Sequence, residues 1–122
     1  MKACDNTLIA SLVDYHLVKG AKGFHALAKK LHMPKEHEAG GHLMNGSVAT
    51  THFWDGKDGR TKAVVVLGDV SKLSHNELVS VLAHEATHIW QECRDGMDPA
   101  IINDEVEAYS IQSITFQLLE AL

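Results

Sequence analysis

The sequence predicts an α+β fold, with N-terminal helices, a small and mainly antiparallel sheet, and two helices that close the chain. Three observations predict it. Apolar residues recur at helical spacing near both ends, two β-rich segments flank a turn cluster in the middle, and a Ser-x-x-Glu cap opens a long helix after the second of them. The 122 residues suit one compact unit, so residues 1–122 are read as a single domain.

Leu8, Ile9, Leu12, Val13, Leu17 and Val18 repeat at helical spacing behind the candidate caps Asp5, Asn6 and Thr7. A packing helix is expected there, with Gly20 as its stop. Phe24, Leu27, Ala28 and Leu31 keep the same period as far as Met33-Pro34 and predict a second, shorter helix with Lys22, Lys29 and Lys30 outside. Glu36 to Gly41 reads as a loop. Ser47 to Trp54 is rich in Val, Thr and aromatics, Asp55 to Arg60 is a turn cluster, and Thr61 to Leu67 is the strongest strand signal in the chain. Two antiparallel strands follow from that pattern. In Ser74-His75-Asn76-Glu77 the serine side chain caps the third amide while the glutamate reaches back to the cap. Leu78, Val81, Leu82 and Ile89 give this helix its buried stripe, and Arg94 to Gly96 ends it. Asp98 as cap and Pro99 in the first turn then predict a last helix from about Pro99 to near the C-terminus, with Ile102, Val106, Ile114, Phe116 and Leu118 among its apolar residues.

Composition narrows the function classes. Eleven basic against sixteen acidic residues leave a net charge of −5, which disfavours general attraction to nucleic acid or to anionic membranes. Lys19, Lys22, Lys29, Lys30 and Lys35 read as a solvated helix face rather than a nucleic-acid surface, since Phe24 alone offers a stacking aromatic among them. No apolar run approaches the length of a membrane span, and Met1 to Asn6 carries no signal-peptide core, so a cytoplasmic protein with reduced Cys4 and Cys93 is expected. Charge is divided unevenly: residues 1–62 hold nine basic and six acidic groups, residues 63–122 two basic and ten acidic. The acidic half is the place to look for a cation, and nine histidines make metal chemistry worth seeking.

Inside the capped helix lies His84-Glu85-Ala86-Thr87-His88, the H-E-x-x-H pattern. Four helical residues turn the side chain through about 400°, so His84 and His88 point the same way, about 6 Å apart along the axis, and can grip one ion. Glu85 lies about 100° round the helix from His84, near the ion without having to bind it. A carboxylate so placed can take a proton from a metal-activated water and return it to a leaving amine. A catalytic zinc needs a third protein ligand, and His88 is the last histidine in the chain. The long metzincin pattern wants glycine at position 91 and histidine at 94, where this sequence has Gln91 and Arg94. A downstream carboxylate remains, and the final helix offers Asp104, Glu105 and Glu107.

H-E-x-x-H followed by E-x-x-A on the next helix resembles the gluzincin metallopeptidases, in particular the minimal ones that contain little beyond the catalytic core. The resemblance spans about residues 74–112 and implies a minimal zincin-like domain in which the H-E-x-x-H helix is followed by a C-terminal glutamate helix. It implies His84, His88 and Glu105 as ligands of one Zn2+ ion, Glu85 as general base, and Ala108 as the small residue that lets the two helices approach; Glu107 stands second to Glu105. Where many gluzincins carry an aspartate after that small residue, this chain has Tyr109. One turn beyond Glu105 on the same face, the Tyr109 hydroxyl is placed to orient a histidine or polarise a substrate carbonyl, with a plain core tyrosine as the alternative.

The function that follows is a zinc-dependent hydrolase acting on peptide or protein substrates. A zinc-binding but non-proteolytic regulatory or partner-recognition domain is the competing expectation. The resemblance also implies that substrate pairs with an edge strand, either Val48 to Trp54 or Thr61 to Leu67. His52, in the first of these, is a candidate oxyanion donor or substitute third ligand. Trp90 reads as a helix-packing residue before a wall of the site. His16, His25, His32, His37, His42 and His75 show no paired spacing with an acidic residue and are read as non-functional.

Overall fold

The computed structural model describes residues 2–4, 13–44 and 46–122. In chain order the elements are β1 (Lys2–Cys4), β2 (Val13–Lys19), α1 (Gly20–Lys30), α2 (Lys35–Glu38), β3 (Ala49–Asp55), β4 (Thr61–Leu67), α3 (His75–Asp95), a 3-10 turn (Pro99–Ile101) and α4 (Asp104–Glu120). The four strands form one sheet in the order β1-β2-β4-β3. β1 and β2 are antiparallel, as are β3 and β4, while β2 and β4 run parallel in the register Val13↔Thr61 to Lys19↔Leu67. The fold is α+β with a mainly antiparallel sheet.

The first predicted helix is overturned. Val13–Lys19 is a central strand, and Leu8, Ile9, Leu12 and the candidate caps lie outside the described residues. Period two explains it: Val13, Tyr15 and Leu17 enter one apolar cluster and Val18 enters the other, on the opposite face of the sheet. β-branched and aromatic side chains at alternate positions, sealed against β4, outweigh a spacing that also matches a helix turn. Gly20, the expected stop, instead joins β2 to α1 with a φ of +72°, a conformation that costs glycine little.

β4 is continuously apolar because helices cover both its faces. Ala63, Val65 and Leu67 pack with Leu82, Ala86, Ile89, Trp90, Ile114 and Leu118 of α3 and α4. Val64 and Val66 pack with Phe24, Leu27 and Ala28 of α1 and with Trp54. Each of the valine, leucine, isoleucine and phenylalanine side chains among them is worth about 1.5–3 kcal/mol when fully buried. At one end of the strands, Lys62 is buried between Asp14 and Asp58, 2.7 Å from each, and Arg60 pairs with Asp14 at 2.6 Å. The Arg60 guanidinium first, with Lys62, holds the Asp14 carboxyl down at about 2.

The segment expected to be a loop contains the single turn α2, set after Pro34, whose carbonyl accepts from the amides of His37 and Glu38. The last helix is likewise interrupted. Asp98 does cap Pro99–Ile101, but that turn stops at the extended Ile102, and Asn103 opens α4 by accepting from the Val106 amide. Among the described residues no helix is long and apolar enough to cross a membrane.

Candidate metal centre

α3 carries the site, and its start is fixed as the sequence predicts: Ser74 accepts from the Glu77 amide at 3.1 Å while Glu77 accepts from the Ser74 amide at 3.0 Å. Leu82, Ala86, Ile89, Trp90 and Cys93 face the core, which leaves His84 and His88 exposed on the flank of the helix. Glu85, between them, keeps 5% of its surface. The ligating atoms of His84, Glu85 and His88 all lie within 4.8 Å of one another.

Four distances define the geometry. Nε2 of His84 and Nε2 of His88 are 3.2 Å apart. Nδ1 of His88 lies 3.2 Å from Oε1 of Gln91; read as a donor there, it leaves the facing Nε2 as the bare nitrogen of the neutral ring. Glu85 accepts at Oε1 from the Thr51 hydroxyl at 3.0 Å, and its Oε2 lies 4.0 Å from Nε2 of His84. The donor set fits zinc, because two nitrogens bound at about 2.0–2.1 Å to a tetrahedral ion are separated by about 3.3 Å. Two imidazole nitrogens so close need a shared proton or a cation between them, and the ring exposure leaves an ion a way in.

Beside the histidines a cleft of about 440 Å³ lies between Gly46–Ala49, at the start of β3, and Ser80, Val81, His84 and Glu85 of α3. β3 forms one edge of the sheet, whereas β4 lies inside it. The question of which predicted strand is at the edge is thus decided for β3.

The other candidates are placed as follows. Glu105 is exposed on the first turn of α4 and lies outside the group that His84, Glu85 and His88 form. Glu107 accepts from the Trp90 indole at 3.0 Å. Trp90 is 1% exposed and packs in the core, as a helix-packing residue should. Tyr109 is 57% exposed, which removes the plain core reading of it. Ala108 is exposed as well; Val106, Ile111, Ile114, Leu118 and Leu119 are the α4 residues that reach the core cluster.

His52 is corrected. Alternation along β3 turns Thr51 toward α3 and His52 to the opposite face, where it stacks on Phe24 at 4.6 Å and contacts the His42 carbonyl at 2.8 Å and His37 at 3.2 Å. The sheet separates it from His84 and His88, so it supplies neither a third ligand nor an oxyanion donor. Burial holds its imidazole below the ordinary range, with His37 adding to the effect against the raising pull of the His42 carbonyl. His25, read as unpaired, meets Glu38 at 2.6 Å across thirteen residues of chain. Cys93 is a free, buried thiol pushed up to about 12 by that burial.

Thr51 and Gln91 are the site residues that sequence reasoning missed. Gln91 stands three residues after His88 and was open to discovery from helical spacing; nothing local marks Thr51. Compared as a whole, the chain matches no family model, no curated protein and no solved structure.

Proposed function

We propose that this protein is a zinc-dependent metallopeptidase with a minimal zincin-like architecture. The observation that carries the reading is the 3.2 Å pair of Nε2 atoms with a buried carboxylate, Glu85, beside it. His84 and His88 would hold one zinc ion, and Glu105, exposed on α4, would supply the third donor. When bound, zinc supplies Lewis acidity, bringing the pKa of a coordinated water to about 7. Glu85 would take a proton from the attacking water at Oε2 as the water oxygen bonds to the peptide carbonyl carbon, and would return that proton to the amine nitrogen as the C–N bond breaks. Gln91 orients His88. An extended peptide would add to the edge that β3 presents among the described residues, through main-chain hydrogen bonds, with one side chain in the cleft beside Val81. Tyr109 is assigned to polarising the substrate carbonyl from the α4 side.

A second reading has its own observation. Glu85 belongs to the His84–His88 group and Glu105 does not, so Glu85 itself would serve as the third donor of a zinc-binding module without peptidase activity. Glu85→Gln separates the two. A general base predicts that purified Glu85→Gln retains zinc by elemental analysis and loses chelator-sensitive cleavage of a denatured protein mixture, with kcat down by roughly a hundredfold or more. Zinc lost from that variant, or no cleavage by the parent chain with its zinc bound, sinks the peptidase reading.

A further inference from the structure

The geometry points to Thr51 of the edge strand as the positioning residue that decides which oxygen of Glu85 acts as the base. This inference rests on the peptidase reading and adds a part from outside the H-E-x-x-H helix. At 5% exposure the Glu85 carboxylate has to find its partners inside the fold. Its Oε1 has one in the Thr51 hydroxyl at 3.0 Å. Its Oε2, 4.0 Å from Nε2 of His84, is beyond hydrogen-bond distance and faces the side where the ion would sit.

The two oxygens of a glutamate exchange by rotation about a broad terminal torsion. A donor fixed on one oxygen removes that equivalence. With Oε1 engaged, Oε2 is left to receive the proton, and Glu85 is kept from turning both oxygens onto the ion as a bidentate ligand.

Thr51 can do this because of where the sheet puts it. Its partner in the register is Val65, in the middle of β4, which fixes its height along α3. A β-branched side chain has little χ1 freedom, so the donor is held in place. The edge strand that is to receive substrate thereby also orients the base.

Thr51→Val keeps the shape and removes the donor; Thr51→Ser keeps the donor; Thr51→Ala replaces valine should valine disturb the packing. In the zinc-loaded full chain, Thr51→Val is expected to lower kcat by roughly ten- to a hundredfold, with Thr51→Ser returning most of it. KM should stay within about twofold of the parent, and zinc affinity measured by chelator competition should not fall. An unchanged kcat in Thr51→Val, beside a parent chain that cleaves peptide, overturns the inference and leaves the peptidase reading standing. Zinc affinity falling in step with kcat also overturns it, because Thr51 would then support the metal site as a whole. A crystal structure of zinc-loaded Thr51→Val reads the same point without turnover. A Glu85 carboxylate rotated or drawn onto the ion is the expected result, and one that keeps its parent orientation overturns the inference even if the parent chain cleaves nothing and the peptidase reading has fallen.

Discussion

His84 and His88 present their rings to solvent while Glu85 is buried between them, because one step along a helix of 3.6 residues per turn moves a side chain from the flank of α3 toward the sheet. That single step separates ligands from base, and it involves only bonds within one helix. For this reason the trio was legible in the sequence. Gln91 belongs to the same helix, and its contact with His88 gives a direct prediction. Gln91→Met should weaken zinc binding by roughly ten- to a hundredfold, because Nδ1 of His88 loses the partner that fixes the ring tautomer. Titration against a competing chelator measures it; an unchanged affinity would remove Gln91 from the site. Thr51 and the His25–Glu38 pair were illegible for the opposite reason. Their partners are brought together by the sheet and by the return of the chain over α1, and no residue spacing encodes either.

Among the elements, those with strong local signals appear where the sequence places them. The β4 boundaries agree residue for residue, since an apolar run covered on both faces needs no alternation to be recognised. α3 begins at its capping box, and Ser74→Ala should lower stability by about 1 kcal/mol, measured as a fall in the urea midpoint with an unchanged slope. No change there would mean that core packing alone fixes the start of the helix. β2 carries a helix signal in the sequence because Val13, Leu17 and Val18 satisfy a helix spacing and a strand spacing at once, and only pairing with β4 decides between them. The break at Ile102 arises because Asn103 accepts from the Val106 amide and starts a fresh helix, a competition that the stronger Asp98-Pro99 signal hides in the sequence. That restart puts Asp104, Glu105 and Glu107 in a first turn, where the helix dipole favours carboxylates.

At the scale of the molecule, one sheet keeps two histidine groups apart: His84 and His88 on the α3 side, His37 and His52 on the α1 side. His52 has its folded pKa below the usual 6.5, so the unfolded chain binds the extra proton, and stability that is complete above pH 6.5 falls as the pH drops through that value. Asp14, held at about 2 against the usual 3.8, contributes stability that is complete above its ordinary value and is lost as the pH falls from about 4 to about 2. Urea midpoints of the metal-free protein should therefore fall in both windows, and His52→Gln should make the first shallower without abolishing it, because burial holds His16 below its ordinary value as well; a stability flat from pH 7 to 5 would contradict the burial of both histidines. The most direct test of the account is anomalous diffraction at the zinc edge from crystals of the zinc-loaded chain. The account predicts one peak, bonded to Nε2 of His84 and Nε2 of His88, with Oε1 of Glu85 still held by Thr51. Density only at His37 and His52, or no peak between the α3 histidines, would contradict it.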